Sequence, residues 1–351
     1  MVCGLRVVDL RSDTVTLPTE EMLEAIRHAR LGDDVYGEDP TVNELQELAA
    51  SRMGKDAALL VTSGTQGNLV SLMSHARRGE EVILEAECHI YYYEVGGISA
   101  LAGLIPRPIR GHLGVLDPRD VEAAIRPKDI HQPRTSLVCM ENTHNRAGGT
   151  VWTPEQMRAV YEVAKEHGLS VHLDGARIFN AAVYLGVDVK QFTKYTDSVM
   201  FCLSKGLSAP IGSLVVGDEE FIEKARRVRK MLGGGMRQAG IIAAAGIIAL
   251  EKMVDRLKED HENAQILAKA LAKLDGIRIT HPVQTNIIIF DVSDLNTTAE
   301  RFIASLAERG VKASQFGRTL VRMVTHRGIE REDIEYAISV VEEVVSKLRS
   351  A

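Results

Sequence analysis

Two charged side chains directly follow apolar runs in the middle of this sequence. The run SVHLD ends at Asp174, and the run DSVMFCLSK ends at Lys205. Each run is typical of a buried strand, and a strand core does not favour a charge. In an open α/β sheet, ligands bind outside the carboxyl ends of the strands. The pattern therefore predicts a cleft that receives a carboxylate from one strand and an amine from another.

An aspartate opposite a lysine, with Arg177 three residues after the aspartate, suits one cofactor, pyridoxal 5′-phosphate. A lysine forms a Schiff base with its aldehyde, and a carboxylate keeps its pyridinium nitrogen protonated, which makes the ring an electron sink. A structural interpretation stands beside this one. Asp174 could end its strand as a turn former and Lys205 could be an ordinary solvated residue, because charges at strand ends are common.

A candidate phosphate site precedes this region. The strand AALLVT breaks at Ser63, Gly64 and Thr65 before the helix QGNLVSLMSHA. Backbone N–H groups and the helix dipole converge at such a turn and attract an anion. The tripeptide is a weak signal by itself, but because it lies upstream of the aspartate and the lysine, we expect phosphate as its ligand.

Polar and aromatic residues follow two further predicted strands. His89 comes after VILEA and is followed by Tyr91, Tyr92 and Tyr93. Its imidazole could stack on the cofactor ring, although a packed aromatic loop explains the same residues equally well. The strand TSLVCMEN leads into Asn142, His144 and Asn145, which makes these three residues candidates for the cleft.

Alternation of strands and helices as far as Gly217 predicts an α/β fold with a mostly parallel, doubly wound sheet. A long helix is expected from Ile241 through EKMVDRLKEDHENAQILAKALAKL. The strands IRITHPV and NIIIFDV, a helix, the strand TLVRMVT and a final helix then follow, which predicts a small α+β domain. We expect an N-terminal arm and large domain over residues 1–252 and a small C-terminal domain over residues 253–351.

Composition excludes several classes of function. The chain has 351 residues with 45% hydrophobic content, enough for two domains. A net charge of −6 opposes general nucleic-acid binding, and the apolar run 239–250 is too short for a membrane span. The charged N-terminus disfavours a signal peptide. The 4 cysteines, among them Cys3, lack metal-ligand spacing, which predicts reduced thiols and a cytoplasmic protein.

A series of motifs, in order along nearly the whole chain after MVCGLRV, resembles the low-specificity L-threonine aldolases, including the L-allo-threonine aldolases. These motifs are LRSDTVT, GDDVYGEDP, SGTQGN, ENTHN, HLDGARIFNA, SKGLSAPIGS, GGGMRQAG and LVRMVTH. That family comprises fold type I pyridoxal-phosphate lyases. The resemblance implies retro-aldol cleavage of L-allo-threonine, L-threonine and other β-hydroxy-α-amino acids to glycine and an aldehyde, with acetaldehyde as the aldehyde from the threonines.

The resemblance also implies roles for individual residues. The implied catalytic residues are Lys205, His89 and Asp174. The cofactor contacts are Ser63, Gly64 and Thr65 at the phosphate, His89 stacked on the ring, Asp174 at the pyridinium nitrogen, Arg177 at the ring oxygen, Lys205 in the Schiff base and Arg237 from a neighbouring subunit. The substrate carboxylate is bound by Ser12, Arg177 and Arg322. Active sites at subunit interfaces imply a homotetramer.

Several alternatives remain at this point. The same electron sink serves serine hydroxymethyl transfer, β-elimination and transamination. A binding protein on a decayed enzyme scaffold is a different class, and a nicotinamide enzyme would need a G-x-G-x-x-G turn, which the first strand lacks. The base that removes the proton from the β-hydroxyl is His89 or a water that His89 holds. No ligand cluster in the sequence predicts a metal.

Overall fold

The computed structural model describes residues 6–350; Cys3 lies outside them. The strands are β1 Val8–Asp9, β2 Ala57–Val61, β3 Glu81–Glu85, β4 Ile105–Ile109, β5 Thr135–Glu141, β6 Ser170–Asp174, β7 Ser198–Cys202, β8 Ser213–Gly217, β9 Arg278–Ile279, β10 Ile287–Asp291, β11 Val311–Lys312, β12 Ser314–Gln315 and β13 Leu320–Val324. The α-helices are α1 Glu20–Arg27, α2 Pro40–Met53, α3 Gly64–His75, α4 His89–Tyr92, α5 Gly97–Ala100, α6 Pro118–Ala124, α7 Pro154–Glu166, α8 Ile178–Leu185, α9 Lys190–Thr193, α10 Glu219–Met231, α11 Gly240–Lys252, α12 Leu257–Leu271, α13 Ala299–Ala307 and α14 Arg331–Ser350.

Contacts divide the described chain into two compact units. The large unit comprises Leu17–Arg146 and Val151–Val254, and the small unit comprises residues 6–16, Ala147–Thr150 and 255–350. The N-terminal segment thus groups by contacts with the C-terminal part of the chain, a grouping that the sequence did not indicate. The division into domains at residue 252 stays a prediction.

A seven-stranded sheet forms the centre of the large unit, in the order β2-β8-β7-β6-β5-β3-β4. Strands β7, β6, β5, β3 and β4 run parallel, and β8 runs antiparallel to its two neighbours. Strands β3, β5, β7 and β8 are buried at every position. Burial on both faces is typical of a parallel sheet covered by helices, and the predicted α/β class with a mostly parallel sheet is confirmed.

The small unit contains an antiparallel sheet in the order β12-β13-β10-β9 and a parallel pair of β1 with β11. Its core includes Phe290 of β10, Phe302 of α13 and Val341 of α14. The apolar positions of α14 recur at helical spacing, so one face of this helix is buried in that core. The predicted α+β class of this part is also confirmed.

The expected long helix after Ile241 is two helices. α11 ends at Lys252 and α12 begins at Leu257, although no glycine or proline lies between them. Contacts place the two helices in different units, so tertiary packing overrides the local helix propensity. Among the helices within residues 6–350, none combines the length and the apolar character that a membrane span requires.

Candidate active site

The two strands that carry the predicted acid and amine are neighbours. β6 and β7 pair in parallel, with Asp174 opposite Met200, so both chains leave the sheet at the same edge. Asp174 is buried, and its Oδ1 accepts the Ala176 backbone N–H at 3.1 Å. The sequence therefore delivers a carboxylate at the carboxyl end of a central strand, where open α/β sheets bind ligands.

Lys205 lies on the turn that follows β7. The Ser208 N–H donates to the Lys205 carbonyl at 2.9 Å, and Ser208 adopts a left-handed backbone with φ 67°. The lysine is half-buried, and within residues 6–350 no side-chain hydrogen bond or ion pair uses its ammonium group. A half-buried amine without a carboxylate partner is suited to covalent bond formation with a ligand.

The predicted phosphate cradle forms the N-terminus of α3. The Ser63 hydroxyl caps this helix by accepting the Gln66 N–H at 3.2 Å. The amides of Gly64 and Thr65 lie in the first turn of α3, where an N–H group has no intrahelical acceptor, and within residues 6–350 no backbone hydrogen bond uses them. A Cβ on Gly64 would lie 2.9 Å from the Cys202 sulfur, so the helix approaches β7 this closely only with glycine there.

His89 begins α4 and forms a pair with Glu94. The imidazole Nδ1 lies 2.9 Å from Glu94 Oε1, and the His89 side chain is 31% exposed. Burial alone would lower the pKa of His89, but the hydrogen bond to Glu94 and the charges of Asp174, Glu94 and Glu141 raise it above its ordinary value. Because Nδ1 faces an acceptor, Nε2 carries the lone pair in the neutral ring. In the neutral ring, His89 Nε2 is therefore free to accept a proton on the side away from Glu94.

Burial raises the pKa of Glu94, against the hydrogen bonds that it accepts from His89 and Asn68. The ligand atoms of His89, Glu94 and Asp174 lie within 4.8 Å of one another, a spacing compatible with a metal ion. The amide nitrogen of Asn68, however, lies 2.8 Å from both carboxylates. Its two N–H groups present positive charge to these oxygens, so the cluster is better explained by hydrogen bonds than by a cation.

Arg177 and Arg237 both belong to the large unit but differ in burial. Arg177 is buried at the start of α8. Arg237 is exposed, and its guanidinium pairs with Asp33 at 2.9 Å. The glycine run before Arg237 lies against the phosphate cradle, since a Cβ on Gly234 would come within 2.3 Å of Gln66 Nε2. The reach of Arg237 toward a neighbouring subunit stays a prediction.

Ser12 and Arg322 lie close together in the small unit. The Arg322 guanidinium is 3.5 Å from the Arg11 carbonyl oxygen, next in the chain to Ser12. The Ser12 hydroxyl accepts the Thr14 N–H at 3.2 Å and the Thr14 hydroxyl at 2.9 Å. Arg322 also lies 5.5 Å from the centre of the Phe316 ring. Ser12 and Arg322 come from opposite ends of the sequence, and the structure brings them together. Both are predicted to bind the substrate carboxylate.

The residues after β5 have structural partners. Asn142 exchanges hydrogen bonds with the Trp152 backbone, at 3.2 Å to its carbonyl and 3.3 Å from its N–H. His144 Nε2 lies 3.0 Å from Glu85, and burial, which lowers the pKa of His144, is outweighed by Glu141 and Glu85, which raise it. Asn142 is therefore a core residue and not an open ligand in the cleft.

Two residues at the centre of the site were missed from the sequence, Asn68 and Glu94. Asn68 follows Gly64 by one helical turn and therefore lies on the same face of α3, which is a signal that the sequence contained. Glu94 follows His89 by five residues across the end of the short helix α4, and no regular spacing marks that position.

The chain matches the family model described as Beta-eliminating lyase over residues 9–295. Low-specificity L-threonine aldolase 1 of Arabidopsis thaliana is 48% identical over 341 residues, which are 95% of each chain. The low specificity L-threonine aldolase of Escherichia coli K12 is 46% identical over 331 residues, with 93% of this chain and 96% of the relative covered.

Solved structures share the fold. A threonine aldolase of Leishmania major has a TM-score of 0.83 at 21% identity, with 96% of this chain and 99% of the other covered. A structure described as SPT with PLP has a TM-score of 0.78 at 18% identity, over 99% of this chain and 90% of that one. On the family match and the close relatives, the chain belongs to the beta-eliminating lyases and, within them, to the low-specificity L-threonine aldolases.

Proposed function

We propose that this protein cleaves L-allo-threonine and L-threonine to glycine and acetaldehyde with pyridoxal 5′-phosphate. The observation that carries the proposal is the pairing of β6 with β7, which sends Asp174 and Lys205 to one edge of the sheet. Relatives 46–48% identical are named for this reaction. The fold alone does not select it, because one sheet supports many reactions.

The side chains of the large unit fit the cofactor. Lys205 offers an amine without an ion-pair partner in the described chain, Gly64 and Thr65 offer backbone amides to a phosphate, and Asp174 offers a buried carboxylate to a pyridinium nitrogen. Arg177 is proposed to contact the ring oxygen. Bound there, pyridoxal phosphate would supply an electron sink for the electron pair of the broken Cα–Cβ bond.

Substrate orientation is assigned to residues that bind the α-carboxylate. We assign this role to Ser12, Arg177 and Arg322, since a guanidinium binds a carboxylate through two parallel hydrogen bonds. Holding the carboxylate fixes the rotation about Cα and thereby decides which of its bonds breaks.

The proton transfers are assigned to the His89–Glu94 pair. His89 Nε2, directly or through a water, accepts the proton of the β-hydroxyl as the Cα–Cβ bond breaks and acetaldehyde leaves. A proton then returns to Cα and gives glycine, so the reaction consumes no second substrate.

The proposal extends to assembly. We propose a homotetramer in which Arg237 contacts the cofactor phosphate of a neighbouring subunit, a role supported by the exposure of its side chain and by the resemblance of GGGMRQAG to the family motif.

Product analysis tests the function. The purified protein with pyridoxal phosphate is incubated with each of the four threonine stereoisomers, without folate or a keto acid, and glycine and acetaldehyde are measured. Equimolar glycine and acetaldehyde from the L-isomers is the expected result. Activity that requires folate, formation of a new amino acid only with a keto acid, or release of ammonia without glycine would assign the chain to one of the alternative reactions.

A further inference from the structure

Buried side chains connect β6 and β7 with the second turn and the C-terminal end of α3. Asn68 of α3 contacts Asp174 and Glu94, and its Oδ1 lies 3.1 Å from His172 Nε2. His172 Nδ1 lies 2.8 Å from the Ser198 hydroxyl at the start of β7, and that hydroxyl lies 2.7 Å from His75 Nε2 at the end of α3. The contacts therefore form a closed loop from α3 through β6 and β7 back to α3.

The chemistry of these groups fixes the direction of every hydrogen bond in the loop. Carboxylates only accept, so the edge of Asn68 that faces Asp174 and Glu94 carries the two N–H groups. The Asn68 oxygen then faces His172 Nε2, which must carry a proton. Burial lowers the pKa of His172 to about 3, so the ring is neutral and its Nδ1 accepts from Ser198.

The remaining contact follows from the same rule. The Ser198 O–H donates a hydrogen bond to His172 Nδ1, so the Ser198 oxygen accepts one from His75 Nε2–H. Burial lowers the pKa of His75 to about 4, and its ring is stacked on Phe221 at 4.4 Å. No group of the loop needs to exchange a proton at neutral pH, so the loop holds its members through fixed donors and acceptors and is not a proton relay.

We propose that Asn68 is a positioning residue, oriented by the buried His172–Ser198–His75 chain, that fixes the spacing between the phosphate cradle and Asp174 and holds Glu94 toward His89. The Asn68 amide thereby aligns Asp174, which would bind the ring nitrogen, with His89, the proposed base. This inference rests on the proposed function, because the spacing between the cradle and Asp174 matters for pyridoxal phosphate only if the cofactor binds there.

The geometry explains why one residue can have this effect. Gly64 and Asn68 lie one turn apart on α3, and the phosphate cradle is the first turn of that helix. A shift of α3 along β6 would move the cradle relative to Asp174 and would break the contacts of Asn68 and His75 together. A mispositioning of about 1 Å in such a site is sufficient to reduce activity severely.

The affinity for pyridoxal phosphate tests the role of Asn68. Asn68→Ala should weaken binding by about tenfold or more, because one charge-assisted hydrogen bond contributes roughly that factor. Ser71→Ala is the matched control, since Ser71 is buried on the same helix and, within residues 6–350, its hydroxyl bonds only to the Gly67 carbonyl. This variant should change the affinity by about twofold or less. Equal losses in the two variants would reduce Asn68 to a packing residue and overturn the inference.

A second variant separates positioning from packing. Asn68→Asp places a third carboxyl group beside Asp174 and Glu94, with His89 and Glu141 as the nearby charges and His172 on the other side. At high pH the carboxylates repel one another. As the pH falls, one of them takes up a proton and can donate again. Relative to wild type, cofactor affinity should therefore rise in Asn68→Asp as the pH is lowered, and should stay flat in Asn68→Ala.

The tautomer of His172 is a test that needs no cofactor. In ¹⁵N-histidine NMR spectra of the apoprotein, His172 should carry its proton on Nε2, and Asn68→Ala, which removes the acceptor of that proton, should allow both tautomers. A proton on Nδ1 in the wild type would reverse the Asn68 amide and refute the inference. Failure of the wild type to bind pyridoxal phosphate would instead refute the proposed function, whereas normal binding with unchanged Asn68 variants would refute only the positioning role.

Discussion

Lys205 differs in its hydrogen-bond partners from Lys55, which is also a half-buried lysine of the large unit. Lys55 donates to the Thr196 carbonyl at 2.6 Å, and burial lowers its pKa despite the nearby charges of Asp197, Asp56 and Asp218. Lys205 has no comparable hydrogen bond among residues 6–350. Burial of an amine has a cost in free energy that hydrogen bonds normally offset, so an amine kept without one is consistent with a covalent role.

Replacing Lys205 tests that role directly. Lys205→Ala should abolish the visible absorbance of bound pyridoxal phosphate and reduce the cleavage rate by about three orders of magnitude or more, since the covalent anchor is lost. Lys194→Ala is the control, because Lys194 is exposed and bonds to Gln191. Absorbance spectra and cleavage rates of both variants provide the measurement, and a wild-type absorbance band in Lys205→Ala would contradict the assignment.

The His89–Glu94 pair makes a prediction about pH. Glu94 is among the groups that raise the pKa of His89, so Glu94→Gln should lower that pKa while an amide oxygen still accepts from Nδ1. A base acts only when it is neutral, and the rate therefore falls below its pKa. The acidic limb of the kcat/KM profile should move to lower pH in Glu94→Gln.

NMR titration of His89 in the wild type and in Glu94→Gln is the direct measurement. A lower His89 pKa with an unmoved acidic limb would show that His89 is not the base, and would leave it the stacking role alone. An unmoved His89 pKa would show instead that Glu94 does not control this histidine. The two outcomes are distinct, because one measurement follows the residue and the other follows the reaction.

At the scale of elements, the packing of α3 on β7 controls the phosphate cradle. A Cβ on Gly64 would lie 2.9 Å from Cys202 Sγ and 3.3 Å from Met200 Cε, so Gly64→Ala should push the first turn of α3 outward. We expect about a tenfold loss of affinity for pyridoxal phosphate, consistent with a displaced cradle. Gly97→Ala is the control, because its added Cβ would meet open space.

A compensating change distinguishes this steric effect from an effect on the backbone. Cys202→Ala removes the sulfur that the new methyl group would contact, so the double variant Gly64→Ala/Cys202→Ala should recover much of the lost affinity. Equilibrium dialysis of the cofactor against the single and double variants measures the coupling. Purely additive losses would show that the close approach to β7 does not position the cradle.

Elements were predictable where the local pattern is strong. The strands around Asp174 and Lys205 could be recognised because an apolar run that ends in a charge is visible in one segment of sequence. Asn68 and Glu94 were missed because their roles come from contacts over 106 and 26 residues of separation. The break between α11 and α12 was missed for a related reason, since the segment itself favours a helix and only the division into units interrupts it.

At the scale of the whole molecule, the separation of Ser12 from Arg322 along the chain shows what tertiary structure adds. β1 pairs with β11 of the small unit, and the Val324 N–H donates to the Leu10 carbonyl at 2.8 Å. These contacts hold the N-terminal segment to a strand more than three hundred residues later. The sequence indicated both residues only through their motifs, because a two-residue strand such as β1 has no detectable periodicity.

The proposed assembly predicts that two defective subunits can restore each other. If each cofactor site takes Lys205 from one subunit and Arg237 from its neighbour, Lys205→Ala and Arg237→Ala oligomers should each have low activity. After the two are unfolded together, mixed in equal amounts and refolded, a site is complete when an Arg237→Ala subunit supplies the lysine and a Lys205→Ala neighbour supplies the arginine. Random assortment makes about a quarter of the sites complete.

The measurement compares the cleavage rate of the refolded mixture with that of wild type treated in the same way. Each variant refolded alone is the control, and a differently tagged subunit of each kind shows by affinity capture that mixed oligomers form. Recovery to about a quarter of the wild-type rate would support a site shared between subunits. Mixed oligomers that stay as inactive as the average of their parents would place the whole site within one subunit, and Arg237 would then serve only its ion pair with Asp33.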